Sequence, residues 1–218
     1  MVIQDKKRRT GRIDFRLYLV TDSKQLTDNR SLITAVRQAL KGGVRAVQLR
    51  EKHLETRELL EMADKMRDLT RQFNASFFIN DRFDIAIAVG ADGVHLTQNS
   101  IPAAAVRKAV KKKLLIGVST HSLKEAREAE KGGADFITVG PVYRTPSKLK
   151  YGKPIGLDIL KKITSKMNIP VFAIGGIKSS NINYIKEAGA YGAAMIREVL
   201  ASKNINRKAG ELVNLLGA

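Results

Sequence analysis

The chain has 218 residues, 44% of them hydrophobic, enough for one large core, and a single domain is common at this length in barrels. There is no cysteine, which excludes a disulfide framework and a thiolate zinc site and fits a reducing, cytoplasmic setting. The formal net charge of +18 admits nucleic acid, an acidic membrane surface or polyanionic small molecules as partners. Aromatics make up only 6% of the chain and do not interleave the basic stretches, so nucleic acid is the weaker reading and a lysine-rich solvated surface the plainer one. No apolar run approaches a membrane span, and residues 1–12 lack the apolar region of a secretory signal.

In chain order, residues 1–14 read as a basic arm ahead of the folded domain, 15–218. Strands are expected at 15–20, 44–49, 76–79, 93–96, 114–118, 136–139, 171–174 and 193–196, from short apolar runs bounded by turn residues. Between them, apolar spacing predicts helices at 32–40, 56–73, 84–89, 103–110, 122–131, 157–163 and 182–188, with a last helical region broken near 202–206. Ser122 and Glu125 have the spacing of a capping box.

A repeat runs through this order. Gly43-Val44, Gly90-Ala91, Gly133-Ala134 and Gly189-Ala190 each follow a helix and lead into an apolar strand, two βα units apart. Eight alternating units predict an α/β fold, a single-domain (β/α)8 TIM barrel. A doubly wound sheet would place a glycine-rich turn after the first strand, and residues 21–27 contain no glycine.

In such barrels the chemistry lies at the C-terminal ends of the strands. That rule selects Thr21, Asp22, residues 48–52, Asn80, Asp81, 95–100, 119–121, 140–148, Gly175, Gly176 and 195–197. Gln48, Arg50 and Lys52 have the period of one strand face, if the strand runs that far, and an arginine fork beside a lysine suits phosphate oxygens. The plainer reading is a charged loop. Asp81 is the clearest candidate Mg²⁺ ligand or, equally, a helix cap. His95 reads as a core histidine or a site residue. His121 reads as an acid/base group or a neighbour of a cap. Gly175-Gly176 reads as a close backbone approach to phosphate or as a tight turn.

Tyr18-Leu-Val-Thr-Asp22, Gln48-Leu-Arg-Glu-Lys52, Asn80-Asp81, Asp92-Gly-Val-His-Leu96, Ile116-Gly-Val-Ser-Thr-His121, Gly140-Pro-Val-Tyr143, Thr145-Pro-Ser-Lys148 and Ala173-Ile-Gly-Gly-Ile177 occur in one order and spacing. Together they resemble the thiamine-phosphate synthase family, whose paralogues are the TenI-type thiazole tautomerases. The resemblance implies a transferase that joins 4-amino-2-methyl-5-hydroxymethylpyrimidine diphosphate to a thiazole phosphate and releases pyrophosphate, through a pyrimidine-cation-like transition state. It implies that Gln48, Arg50, Lys52, Asn80 and Lys148 hold the diphosphate substrate, with Arg50 and Lys148 as the catalytic cations. It implies Mg²⁺ on Asp81, Ser119 near the pyrimidine, and Thr145 and Ser147 on the thiazole phosphate. Gly176 and the Ile196-Arg197 backbone would close the phosphate cup.

Two positions depart from the family's pattern. Ser100 stands where a second metal-binding aspartate is usual, and Arg197 where serine is frequent. The departures point toward the metal-free tautomerase, in which His121 would shuttle the proton. The complete diphosphate-binding set points back to the synthase. A third reading is a non-catalytic barrel that binds a phosphorylated ligand or RNA. Small-molecule phosphorylated substrates are the expected partners, and a homo-oligomer is compatible with the sequence.

Overall fold

The computed structural model describes residues 13–26, 28, 31–111, 114–145 and 153–217. Eight parallel strands close into one barrel. They are β1 (Leu17–Val20), β2 (Ala46–Leu49), β3 (Ser76–Asn80), β4 (Gly93–Leu96), β5 (Leu115–Thr120), β6 (Phe136–Val139), β7 (Val171–Ile174) and β8 (Gly192–Met195), the last pairing back to β1. Around them lie α1 (Leu32–Lys41), α2 (Thr56–Gln72), α3 (Phe83–Ala88), α4 (Ala103–Val110), α5 (Leu123–Lys131), α6 (Gly156–Thr164) and α7 (Ile182–Glu187). After β8 come the short α8 (Arg197–Leu200) and α9 (Ile205–Leu216), separated at the expected break. The fold is the single-domain (β/α)8 barrel that the alternating pattern predicts.

The glycine repeat is a set of helix stops. Gly43, Gly90, Gly133 and Gly189 all have positive φ, and the next residue's N–H reaches back five residues, as in Val44 to the Ala39 carbonyl and Ala134 to the Ala129 carbonyl. These closures end four helices and feed β2, β4, β6 and β8. The same closure ends α2 on Asn74, with φ 50° and Ala75 N–H bonded to the Thr70 carbonyl. Asparagine tolerates this region, so the repeat is hidden there in the sequence.

The barrel interior is filled by placing aromatic rings opposite glycines. Phe78 pairs with Gly93, Phe136 with Gly117, and Phe172 with Gly192. A Cβ on any of the three glycines would lie 2.4–2.8 Å from a carbon of the facing ring. Tyr18 lies in register with Ala46 and Ala194 in the same way. Phe15 closes the base, 5.3–5.9 Å from the rings of Phe78, Phe136 and Phe172. Ile13, at 1% exposure, belongs to this cluster, so the barrel's packing begins two residues inside the stretch read as a basic arm. Residues 1–12 lie outside those described.

At the base, two aspartates tie neighbouring units. Asp92 accepts from Arg67 and from the Phe77 N–H, and Asp135 accepts from Arg107 and from the Ile116 N–H. The described polar candidates lie at the opposite, C-terminal end.

Candidate active site

Above the aromatic layer the inward positions turn polar. Gln48 at the end of β2 is 2% exposed and donates from Nε2 to Asn80 Oδ1, 3.0 Å. Asn80 donates from Nδ2 to Asp81 Oδ2, 2.9 Å. The other oxygen of Asp81 accepts from Ser100 Oγ in a very short contact and from Thr97 Oγ1 at 3.3 Å. Ser100 Oγ also accepts the Thr97 N–H, 2.6 Å, which holds its hydroxyl toward the carboxylate. The Asp81 N–H bonds to the His95 carbonyl, 2.9 Å. Asp81 is therefore fixed from both β3 and β4, with φ 62°. It is not a helix cap: the N-cap of α3 is Arg82, and no side chain caps that end.

The period-two reading of residues 48–52 stops early. β2 ends at Leu49, and Lys52 is exposed in a turn, so Gln48, Arg50 and Lys52 do not share one strand face. Arg50 is half-buried, and its N–H bonds to Thr21 Oγ1, 2.9 Å, which joins the ends of β1 and β2. The reason for the early stop is Glu51. It is 5% exposed and accepts from the Ser23 N–H and from Ser23 Oγ at 2.7 Å. Glu51 thus anchors the loop after β1, a role hidden in the sequence by the 28 residues separating it from its partner.

His95 is fully enclosed beneath this rim. Its Nε2 lies 3.0 Å from Ser119 Oγ and 3.4 Å from Thr138 Oγ1, and its Nδ1 lies 3.5 Å from the Tyr18 hydroxyl. Burial away from water, only partly offset by the charge of Asp81, pushes its pKa down from 6.5 to about 3. The imidazole is neutral at physiological pH. The unfolded chain therefore binds one more proton than the folded one between these two values, and stability is lost as pH falls below 6.5. Between pH 6.5 and 5 this one group is expected to lower unfolding free energy by about 1 kcal/mol per pH unit. Denaturant melts in EDTA across that range check it, with His95→Gln expected to flatten the slope.

His121 stands just beyond β5, half-buried, with its N–H bonded to Glu125 Oε2. Its Nδ1 is buried and has no hydrogen-bond partner among the described residues. Ser122 and Glu125 make the capping bonds expected of them. Gly175 and Gly176 have φ of 93° and 69°. A Cβ on either would come within 2.6–2.7 Å of Pro141 or Tyr143, so the pair lets the end of β7 pass against the loop after β6. Thr145 is half-buried at the edge of that loop; Ser147 and Lys148 lie outside the described residues. Ile196 is half-buried, and Arg197 is exposed at the start of α8.

Among the described residues no three His, Cys, Asp or Glu side chains gather as a metal cluster. The oxygens gathered at Asp81 are nevertheless hard donors, its own carboxylate and the hydroxyls of Ser100 and Thr97, with the Asn80 amide on the second carboxylate oxygen. That donor set fits Mg²⁺, which is held by one or two carboxylates and completes its shell with water and substrate phosphate.

A family model described as "Thiamine monophosphate synthase" matches residues 17–199. The chain belongs to the thiamine monophosphate synthase family. Among relatives of this family, a putative thiamine-phosphate synthase of Geobacter sulfurreducens is 51% identical over 94% of this chain and 96% of its own length. A thiamine-phosphate synthase of Syntrophomonas wolfei is 44% identical over 91% and 95%. The solved thiamine phosphate pyrophosphorylase of Pyrococcus furiosus superposes with a TM-score of 0.85 at 38% identity, covering 94% of this chain and 97% of that one. The synthase family is one of transferases, and the match spans the barrel with its C-terminal mouth. No helix among the described residues is long and apolar enough to cross a membrane.

Proposed function

We propose that the chain couples 4-amino-2-methyl-5-hydroxymethylpyrimidine diphosphate to a thiazole phosphate with release of pyrophosphate. The observation that carries this reading is the hydrogen-bonded run Gln48–Asn80–Asp81–Ser100, which holds one carboxylate at the C-terminal end of β3 between β2 and the loop after β4. A fixed carboxylate ringed by hydroxyls is of little use for binding an anion alone. It suits a metal-bridged diphosphate.

In this reading Arg50 and Lys52, with Lys148, meet the diphosphate oxygens, and Gln48 and Asn80 orient Asp81. Asp81, with Ser100 beside it, would hold Mg²⁺, which when bound supplies positive charge to the departing diphosphate. As the diphosphate leaves, cation builds on the pyrimidine. The neutral, enclosed floor of His95, Ser119 and Thr138 keeps water from it until the thiazole attacks. Thr145, Ser147, Gly176 and the Ile196-Arg197 backbone take the thiazole phosphate. The reaction itself is tested by pyrophosphate release: it should require both substrates together, whereas release from the pyrimidine diphosphate alone would mean hydrolysis and overturn the reading. Conversion of a thiazole carboxylate phosphate to its aromatic isomer without pyrophosphate chemistry would favour the tautomerase and bring His121 forward.

Ser100 gives a second test. Ser100→Asp sets a second carboxylate against Asp81, and like charges that close need a cation between them. The expected result is a Mg²⁺ requirement for half-maximal turnover lowered by about tenfold, with a loss of about 1–2 kcal/mol of stability in EDTA that Mg²⁺ restores. Mg²⁺ titrations of rate and of melting temperature check both. An unchanged Mg²⁺ requirement would remove Ser100 from the metal's surroundings.

A further inference from the structure

The polar floor has a direction. Tyr18 is 0% exposed, and the partner of its hydroxyl is His95 Nδ1. Burial raises the phenol's pKa well above its usual value, so the hydroxyl keeps its proton. A buried O–H left without an acceptor is costly, and Nδ1 is the acceptor the structure offers it. An imidazole that accepts at Nδ1 while neutral carries its proton on Nε2. That proton faces Ser119 Oγ at 3.0 Å. Thr138 Oγ1, 3.4 Å away, donates to the same oxygen. Both lone pairs of Ser119 Oγ are then filled from below, and only its O–H remains to act. Ser119 is half-buried near the C-terminal end of β5, above the aromatic layer.

We propose that Tyr18 fixes His95 in the Nε2–H tautomer, so that Ser119 meets the ligand only as a hydrogen-bond donor and selects an acceptor, the unprotonated ring nitrogen of a heteroaromatic substrate. The opposite tautomer would make Ser119 an acceptor and favour an amino group at the same place. Tyr18 and His95 are positioning residues in this arrangement: neither needs to touch the substrate, and both set what Ser119 presents. The ligand half of the proposal rests on the pyrimidine diphosphate being the substrate. The tautomer half does not.

The experiment has two parts. The chain holds three histidines, so ¹⁵N-histidine labelling with long-range ¹H–¹⁵N correlation, assigned through His95→Gln, reads the tautomer in the free wild-type protein. His95 is expected with a pyridine-like Nδ1 and a protonated Nε2, and Tyr18→Phe should turn it into a mixture. A protonated Nδ1 in the wild type overturns the proposal, whether or not any variant folds. The second part compares kcat/KM for the pyrimidine diphosphate with that for analogues in which each ring nitrogen in turn is C–H. The wild type should reject one analogue by about tenfold or more, and Ser119→Ala and Tyr18→Phe should narrow that ratio. Equal discrimination in wild type and Ser119→Ala overturns the ligand half. Absence of any coupled product from the wild type would instead overturn the synthase reading, with the tautomer still decided by the spectrum.

Discussion

Asp81→Asn is expected to lower kcat by roughly 10²–10³-fold while leaving stability within about 1 kcal/mol of the wild type. The two effects separate because the surrounding hydrogen bonds can be rebuilt. Ser100 and Thr97 still find an oxygen at position 81. The new amide nitrogen meets Asn80, whose own amide can turn over, as can that of Gln48 behind it. What cannot be rebuilt is the negative charge. Steady-state kinetics over a Mg²⁺ range, with a denaturant melt alongside, measure both. Full turnover in a well-folded Asp81→Asn protein would remove this carboxylate from the reaction.

The largest stability effect is expected at Phe136. Its ring lies 5.4–5.9 Å from those of Phe15, Tyr18, Phe78, His95 and Phe172, so it touches nearly every member of the barrel's inner layer. Gly117 faces it across the β5–β6 pairing and has no side chain to refill the space. Phe136→Ala should cost about 3–5 kcal/mol. For a chain of this size that is a fall in melting temperature of roughly 10 °C or more. Phe136→Leu should lose distinctly less. Urea unfolding of the three proteins checks the order, and a loss under 1 kcal/mol for alanine would mean that the interior collapses more freely than these contacts imply.

The barrel was legible because its signals are local. The glycines at 43, 90, 133 and 189 stop helices by their own backbone freedom, and the apolar runs after them are too short for anything but strands. Asn74 ends α2 in the same way without that signal, whereas α6 ends on Ser165 in the right-handed region. The position of the candidate site was legible where it follows from strand ends: Gln48, Asn80 and Asp81 stand where the parallel barrel puts them. It was not legible where tertiary contacts decide. Lys52 leaves the strand face because Glu51 is pulled down onto Ser23. The role of Asp81 as an anchored carboxylate, not a helix cap, depends on Ser100 and Thr97 arriving from the next unit. Tyr18 and His95 are 77 residues apart in sequence, and nothing in either neighbourhood announces their contact.

The coupling reaction itself, run in the presence and absence of metal, tests the proposed activity and the role of Asp81 together. The full chain is mixed with the aminopyrimidine diphosphate and the thiazole phosphate, and thiamine phosphate is quantified with Mg²⁺ and with EDTA. The expected result is product that depends on Mg²⁺ and is lost in EDTA. Product formed equally well in EDTA would contradict the role given to Asp81, and no product under either condition, with the diphosphate intact, would contradict the synthase assignment.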